Sequence, residues 1–440
     1  MAKVYLSFLG TNDYLPCNYC FNEKEIQAVR FVQEATINMN CRDWSTDDRI
    51  LIFTTSEAHL KNWLDDGHKK NGEKQQREGL AQRLKKLNLQ VSVQNVLIPE
   101  GKSETEIWDI FQILFDNIQP NEKIVFDVTH SFRSIPMLAM VVLNYGKVMK
   151  KIDILGIYYG AFEVLGSLKD AEKIRLEDRR VPIFDLTPFD NLLDWSLAID
   201  RFLGSGDAVP ICELAKREVS PLLKKSEGKD ELAGDIKSLA ETLRTFTQSL
   251  ATCRCRDTTR LANQLRRLLK QCEKNDLIKP LPPLLEKIAN RVSLFNGDDF
   301  QQGVQAAKWC LEHNLIQQGF TILEESLITH AITLAGFDPY QKIIREVAGQ
   351  AMTIFSKNIS EDRWRAPAAE YKEITNRFRE IFQSQPEIPK RFLSIVDKRN
   401  DLNHGGCREE PLTASIFLQS LGQIIDNVEK TIAKVKTPIR

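Results

Sequence analysis

Short β-branched and aromatic runs alternate with amphipathic segments up to about residue 182, and this alternation limits the possible folds more than any other feature. The runs that predict strands are Val4–Leu9, Ala28–Gln33, Ile50–Thr54, Val91–Ile98, Lys123–Val128 and Ile152–Tyr159. The segments with helical periodicity are Glu57–Asp66, Glu73–Leu87, Glu104–Ile118 and Ser134–Lys150. Such alternation predicts a mostly parallel sheet covered by helices, so we expect residues 1–182 to form a Rossmann-like α/β domain.

Beyond residue 182 the strand pattern disappears, and residues 183–440 show helical periodicity interrupted by polar breaks. We expect an all-α region that consists of a helical linker and a terminal helical domain. Three segments of it predict single helices: Trp309–Ile328, Pro389–Asn403 and Leu412–Val435. Glu324 lies beside the apolar stripe of the first helix, and a supporting contact from it to Arg399 on the second is a hypothesis.

The composition argues against several classes of function. Lys plus Arg equals Asp plus Glu at 60 each in 440 residues, which argues against a broad DNA-coating surface. The N-terminus lacks a signal-peptide pattern and the apolar run Ile135–Leu143 is too short to span a bilayer, so we expect a cytoplasmic protein without membrane contact. Nine cysteines are typical of reduced thiols here, and the Cys17/Cys20 and Cys253/Cys255 pairs do not complete a zinc-site spacing.

Small residues with hydroxyl or amide groups follow three of the predicted strands. In a parallel sheet the loops at the carboxyl ends of the strands form the ligand crevice. Backbone N–H groups at helix N-termini bind anions there, and an arginine adds positive charge. The candidate ligand-binding residues are Gly10, Thr11, Asn12, Ser56, Thr129, His130, Ser131 and Arg133. Helix capping by the hydroxyl groups and a surface ion pair by Arg133 are the alternative interpretations.

Common nucleotide-binding motifs do not occur near these loops. The sequence has neither a glycine-rich dinucleotide fingerprint nor a phosphate loop ending in Gly-Lys-Ser/Thr, so NAD or ATP binding is disfavoured. Asp127 lies within an apolar strand pattern, and we expect it to anchor the following loop by hydrogen bonds rather than to act as a catalytic acid.

An arginine and a histidine stand five residues apart near the C-terminus, in the run Arg399-Asn400-Asp401-Leu402-Asn403-His404-Gly405-Gly406. Arginine binds phosphate oxygens and histidine changes protonation near neutral pH, so the pair could supply metal-free RNA cleavage. On one regular helix the two side chains would point roughly 140° apart. We therefore expect the helix to end here and a second copy of the chain to complete the site. An exposed helix end stabilised by two cations is the alternative interpretation.

Two segments of the N-terminal half carry a family resemblance. Ser7-Phe8-Leu9-Gly10-Thr11-Asn12-Asp13-Tyr14 and Phe126-Asp127-Val128-Thr129-His130-Ser131-Phe132-Arg133-Ser134-Ile135-Pro136 resemble the CARF domain, the CRISPR-associated Rossmann fold. The resemblance implies a dimer that binds a cyclic oligoadenylate across its two-fold axis. It also implies that Gly10, Thr11, Asn12, His130, Ser131 and Arg133 line the ligand pocket, whereas Ser56 is assigned from its position alone.

The Arg399 to His404 motif within an all-α region resembles the HEPN family, whose corresponding motif forms a metal-independent ribonuclease site at a dimer interface. The whole chain is thus similar to the CARF-HEPN accessory ribonucleases of type III CRISPR systems. The resemblance implies an endoribonuclease acting on single-stranded RNA, with Arg399 and His404 catalytic. Asn400 is counted with them in the catalytic site. Asn400 and Asn403 are expected to act as positioning groups, and Asp401 to orient Arg399 or cap the helix. Catalysis needs no cofactor in this interpretation, and cyclic tetra-adenylate is favoured over the hexamer as the allosteric activator.

Two other functions remain open at this point. The chain could be a noncatalytic sensor whose helical half recruits a partner, in which case His404 would be dispensable. Alternatively, the α/β half could cleave its own cyclic ligand, with Ser131 or His130 positioning a 2′-hydroxyl group.

Overall fold

The computed structural model describes residues 1–65, 67–70, 72–129, 135–273, 281–296 and 299–435. The chain divides into two compact units, Met1–Asn191 and Leu192–Arg440. The boundary expected at residue 182 falls within a strand of the first unit, Arg180–Asp185.

The strands of the first unit form an eight-stranded sheet and a separate two-stranded ribbon. They are β1 (Lys3–Leu9), β2 (Cys17–Phe21), β3 (Lys24–Val29), β4 (Arg49–Thr54), β5 (Lys69–Lys70), β6 (Glu73–Lys74), β7 (Ser92–Leu97), β8 (Lys123–Asp127), β9 (Asp153–Gly160) and β10 (Arg180–Asp185). The sheet order is β3-β2-β10-β9-β8-β1-β4-β7, and the ribbon pairs β5 with β6. Strands β9, β8, β1, β4 and β7 are parallel, as expected.

The sheet becomes mixed at one edge, where the strand pattern of the sequence is weak. Strand β10 is antiparallel to β9, β2 is parallel to β10, and β3 is antiparallel to β2. The helices of this unit are α1 (Val32–Asn40), α2 (Ser56–Ala58), α3 (Leu80–Lys85), α4 (Glu104–Asn117), α5 (Ile135–Lys150) and α6 (Leu168–Lys173). A π-helical turn (His59–Trp63) continues α2, and Phe162–Leu165 and Leu176–Asp178 are 3-10 turns.

Alternating side chains of the central strands build a separate core on each face of the sheet. In β1, Val4, Leu6 and Phe8 pack in one core with buried residues of α4 and α5. Tyr5 points to the other face, where the core includes Val32 of α1 and buried residues of α3. The first unit is therefore an α/β/α layered domain, as the strand and helix alternation predicts.

Two predictions for this unit are wrong in detail. The segment Ala28–Gln33, expected as a strand, spans the end of β3 and the start of α1. The carboxylate of Glu34 accepts hydrogen bonds from the backbone N–H groups of Arg30 and Phe31 and so starts the helix. The segment Glu73–Leu87, expected as one helix, forms β6 and then the short helix α3.

The second unit is helical, as expected. Its helices are α7 (Thr187–Ser205), which contains the boundary between the units, α8 (Val209–Lys225), α9 (Glu231–Ala251), α10 (Thr258–Cys272), α11 (Leu281–Val292), α12 (Asp299–Glu312), α13 (Ile316–Leu334), α14 (Lys342–Ser356), α15 (Lys372–Ser384), α16 (Glu387–Asn403) and α17 (Ala414–Val435). Cys255–Asp257 and Glu361–Arg363 are 3-10 turns. In the described ranges no helix is both long and apolar enough to cross a membrane.

The helices of the second unit surround two hydrophobic cores. One core contains residues of α7 to α13, and the other contains residues of α12 to α17. The segment Trp309–Ile328, expected as one helix, is broken between α12 and α13 at Asn314, whose φ is 58°. Asparagine tolerates this left-handed conformation better than most residues, which explains the position of the break.

Candidate functional site

The first candidate site lies at the carboxyl ends of the central strands. Strand β1 pairs with β4 on one side and with β8 on the other. The chain adds β4 and β7 on one side of β1 and then crosses to add β8 and β9 on the other, so the winding reverses between β1 and β8. Ligands of open α/β sheets bind in the crevice at such a reversal. The loops that follow β1, β4 and β8 carry the predicted ligand residues Gly10, Thr11, Asn12, Ser56 and Thr129.

The loop after β1 is held by Asn62, which is fully buried in the π-helical turn. Its Nδ2 atom donates hydrogen bonds to the carbonyl oxygens of Gly10 at 2.8 Å and Asn12 at 2.9 Å. This leaves Thr11 half-buried and Asn12 exposed at the crevice. An added Cβ at Gly10 would lie 2.6 Å from Oη of Tyr14, so only glycine fits there without displacing the phenol.

An ion-pair network fixes the same loop from its far end. Asp13 lies 3.3 Å from Nη2 of Arg30 and 2.7 Å from Nη2 of Arg77. Nη1 of Arg30 in turn donates to the buried carboxylate of Asp65 at 2.6 Å. The sequence analysis missed Asn62 and Arg30. A polar residue on the apolar face of a short helix is the signal that could have indicated Asn62, because a buried polar side chain normally needs hydrogen-bond partners.

Asp127 is the hydrogen-bond anchor that the sequence analysis expected. Its Oδ1 accepts from the N–H and the hydroxyl of Thr129 at 3.0 and 2.6 Å, and its Oδ2 accepts from Tyr5 and Thr36, both at 3.0 Å. Burial raises the pKa of Asp127 even though these hydrogen bonds lower it. The Thr129 hydroxyl also accepts from the N–H of Gly160 at 2.8 Å, so this hydroxyl holds the strand ends together.

The other predicted ligand residues differ in how the structure presents them. Ser56 is exposed in the first turn of α2, directly after Thr55, whose Oγ1 caps the helix by accepting from the N–H of Ala58 at 3.2 Å. The ligand candidates His130, Ser131 and Arg133, and the predicted helix ends Asp66 and Ser134, lie outside the described residues.

The second candidate site lies at the end of α16. Nε of Arg399 is 3.0 Å from Oε2 of Glu324 on α13, so the supporting contact hypothesised from the sequence is present. The Glu324 side chain is 8% exposed and that of Arg399 is 28% exposed. Nη2 of Arg399 also donates to Oδ1 of Asn400 at 3.1 Å. These two contacts fix one edge of the guanidinium, and its remaining exposure leaves it able to meet a ligand.

The carboxyl group of Glu324 has a raised pKa. Burial raises its pKa to about 7, although the neighbouring Arg399 acts in the opposite direction. Oε2 of Glu324 and Nε of Arg399 are close, yet neither makes a hydrogen bond of good geometry. The arginine therefore compensates only part of the cost of removing the carboxylate from water.

His404 ends α16, as the two following glycines predict. The residue is the C-cap, and its N–H donates to the carbonyl of Asn400 at 3.1 Å. Gly405 and Gly406 then take positive φ angles of 59° and 79°. The His404 side chain is exposed, and its imidazole makes no hydrogen bond within the part of the chain that the structure describes. The structure thus anchors Arg399 but leaves His404 free to approach a second molecule.

The polar residues between Arg399 and His404 form hydrogen bonds near the end of α16. Asp401 neither orients Arg399 nor caps α16, contrary to expectation, because its Oδ2 accepts from the N–H of Leu412 at 2.9 Å and ties down the next loop. Asn403 is exposed, and its Oδ1 accepts from Nε2 of Gln317 on α13 at 2.9 Å. Among the described residues, no group of three or more His, Cys, Asp or Glu side chains is arranged to hold a metal ion.

Residues 4–163 match the family model of the CARF domain of CRISPR system endoribonuclease Csx1. The first unit therefore contains a CARF domain. This confirms the CARF resemblance of the segments after β1 and β8. A CARF domain implies a cyclic oligoadenylate ligand.

Two further similarities extend beyond the CARF domain. Residues 191–295 match the model of the second domain of CRISPR-associated protein MJ1674. CRISPR-associated protein MJ1674 of Methanocaldococcus jannaschii is 26% identical over 236 residues, which cover 52% of this chain and 33% of that protein. The matched region thus spans about a third of the relative. Both family models end before Arg399.

Proposed function

We propose that this CARF protein is a cyclic-oligoadenylate-activated endoribonuclease that cleaves single-stranded RNA without a metal ion in type III CRISPR defence. One observation carries the proposal: a guanidinium anchored by a buried carboxylate and an exposed imidazole occur together at one helix end. The Csx1-type CARF domain supports it, because that match is to a family of CRISPR endoribonucleases.

The proposed reaction is transfer of the RNA phosphate to the neighbouring ribose hydroxyl. His404 removes the proton of the 2′-hydroxyl or donates a proton to the leaving 5′-oxygen, since an imidazole can act as a general base or a general acid. Arg399 stabilises the negative charge that develops on the phosphorus oxygens, and Asn400 orients Arg399. The products are a 2′,3′-cyclic phosphate and a 5′-hydroxyl end, the outcome of a HEPN-type site.

A homodimer is part of the proposal, because one α16 cannot direct both side chains at a single phosphate. At a spacing of five residues they diverge by roughly 140°. An exposed apolar stripe on α5 is a surface suited to a second copy: Met137, Val141 and Val148 are 76%, 57% and 77% exposed and follow helical spacing. Trp108 of the neighbouring helix α4 is 62% exposed and enlarges the patch.

Activation follows from ligand binding in the CARF crevice. A cyclic oligoadenylate, with the tetra-adenylate favoured, would bind near Thr11 and Asn12 and shift the dimer toward the arrangement in which the Arg399 and His404 pairs cooperate. Such a shift requires that the ligand bind one arrangement more tightly than the other. Because Asn62 is hydrogen-bonded to the loop after β1, we expect the loop and the π-helical turn to move together when the ligand binds.

The decisive experiment is cleavage of a fluorescent single-stranded RNA by the purified full chain with a chelator present. Reactions contain no activator, cyclic tetra-adenylate or cyclic hexa-adenylate, and His404→Ala protein is tested alongside. We expect cleavage that requires the tetra-adenylate and is lost in the variant. Loss of activity on adding the chelator would refute the metal-independent mechanism.

The same experiment distinguishes the other two functions. A chain that binds the ring but cleaves no RNA, with His404→Ala protein indistinguishable from it, would be a noncatalytic sensor. Linear products formed from the ring alone, without RNA, would show that the CARF domain degrades its own ligand.

A further inference from the structure

A cleft of about 750 Å³ opens in the second unit beside the Arg399 site. Its walls come from α13, α14, α16 and the segment between α14 and α15. The apolar part of the lining consists of Ile328, Ile354, Ile359, Trp364, Phe392 and Val396. Trp364 is 7% exposed, and its indole N–H donates to the carbonyl of Ile359 at 3.1 Å, so this wall has a fixed shape. Clefts of this volume commonly accommodate ligands of nucleotide size.

The cleft is continuous with the proposed catalytic arginine. Glu324 lines it and also contacts Nε of Arg399 at 3.0 Å. Val396 lines it as well and lies three residues before Arg399, on the same side of α16. An RNA strand whose phosphate contacts Arg399 would therefore reach this cleft within one nucleotide.

The uncompensated charge of the cleft is positive. Of its carboxylates, Glu325 pairs with Arg345, Glu324 pairs with Arg399, and Glu346 lies 3.7 Å from Lys342.

Two further arginines of the lining, Arg363 and Arg365, are exposed. Within the described ranges neither guanidinium forms an ion pair or a hydrogen bond. Free arginines beside an apolar surface suit a phosphate joined to a flat base, whereas a cationic or purely apolar ligand would not match them.

We propose that this cleft binds the nucleotide of the single-stranded RNA that flanks the phosphate held by Arg399. The base lies on the apolar floor near Phe392 and Trp364, and Arg363 and Arg365 hold the flanking phosphates. The inference rests on the proposed ribonuclease function and adds to it the surface that holds the substrate.

The first test measures binding of a fluorescent single-stranded RNA to full-length His404→Ala protein over a range of salt concentrations. Adding Arg363→Ala and Arg365→Ala should weaken binding about tenfold or more, since each substitution removes a charge-assisted hydrogen bond to a phosphate. The slope of log affinity against log salt should become shallower by about 0.7 for each phosphate that an arginine no longer neutralises. The control Arg267→Ala with Arg377→Ala removes the same charge from exposed positions outside the cleft and should keep the parent affinity.

A second variant tests the apolar floor without changing charge. An added Cβ at Gly349 on α14 would lie 3.8 Å from Cζ of Phe392, so Gly349→Leu fits the helix and fills the cleft. It should weaken RNA binding and leave the salt dependence unchanged. In the cleavage-competent chain, both cleft variants should raise KM about tenfold and largely retain kcat. Binding of cyclic tetra-adenylate, measured separately, should match that of the parent chain.

The outcomes separate the cleft from the ribonuclease proposal. RNA cleavage that depends on Arg399 and His404 but is unchanged in the cleft variants would overturn the cleft inference alone. So would an equal loss of RNA affinity in the charge control, or a parallel loss of tetra-adenylate binding. Absence of any His404-dependent cleavage by the unmodified chain would overturn the proposed function and the inference with it.

Discussion

Replacing Glu324 with glutamine should make the protein relatively more stable at high pH and less active. The carboxyl group is buried, and burial raises its pKa from 4.5 to about 7. The folded chain therefore holds this proton more tightly than the unfolded chain does. The resulting stability is fully present below about pH 4.5 and is lost as the pH rises through about 7.

The size of the effect follows from the raised pKa. At about 1.4 kcal/mol for each tenfold change in proton affinity, the wild-type chain should lose about 2–3 kcal/mol between pH 5 and pH 8 through this group. Glutamine does not titrate, so the Glu324→Gln chain should not show this loss. Arg399 remains 28% exposed, so its guanidinium can still be hydrated once the carboxylate charge is gone.

The measurement compares the unfolding temperatures of the two proteins at pH 5 and at pH 8. The difference between them should change by about 5–10 °C in favour of Glu324→Gln as the pH rises. Cleavage at pH 8 should fall about 10- to 100-fold, because Arg399 loses the group that fixes its position. Glu325→Gln is the control, since it removes the same negative charge from a side chain that is 52% exposed. A Glu324→Gln protein that is relatively less stable at pH 8 than at pH 5 would refute the reasoning.

Three further predictions concern the other parts of the proposed machinery. His404→Ala should abolish cleavage with no change in unfolding temperature, measured by calorimetry, because the side chain is exposed. Gly10→Ala should weaken binding of cyclic tetra-adenylate about tenfold in isothermal titration, because its Cβ would lie 2.6 Å from Oη of Tyr14 and distort the loop. Val141→Asp with Val148→Asp should dissociate the proposed dimer in sedimentation, because both side chains are exposed parts of the apolar stripe.

The central strands could be predicted because burial on both faces demands long apolar runs. Val4–Leu9 and Ile50–Thr54 are nearly continuous in apolar residues and nearly fully buried in the sheet. The mixed edge of the sheet could not be predicted, because the sequence of Cys17–Phe21 is not distinctive. That strand is positioned by pairing with β10, more than 150 residues away in sequence.

The erroneous strand at Ala28–Gln33 shows how distant contacts decide local structure. Val29, Phe31 and Val32 favour a strand when considered locally. In the folded unit Arg30 reaches the buried carboxylate of Asp65, and Glu34 caps the chain where it turns into α1. A local pattern cannot report a partner that lies 35 residues further along the chain.

The same limit applies to the two candidate sites. Helical periodicity was enough to suggest the contact between Glu324 and Arg399, because Glu324 stands beside the apolar stripe of its helix. The role of Asn62 and the existence of the cleft depend instead on which elements pack together. The sequence analysis did not single out Arg363 and Arg365, and only their place in the lining of the cleft gives them a proposed role.

The two proposed catalytic residues at the end of α16 differ in how firmly they are held. Arg399 is held by a neighbouring helix of its own chain, so its position is set when the helical unit folds. His404 caps the same helix with its side chain exposed, so the proposed catalytic geometry requires a partner or RNA to complete it. In the proposed dimer, a change in how the two copies pack changes the distance between Arg399 of one copy and His404 of the other. The structure around each residue stays the same. In this proposal, ligand binding controls cleavage only by changing how the two copies pair. The resting protein is therefore inactive although each site is already folded.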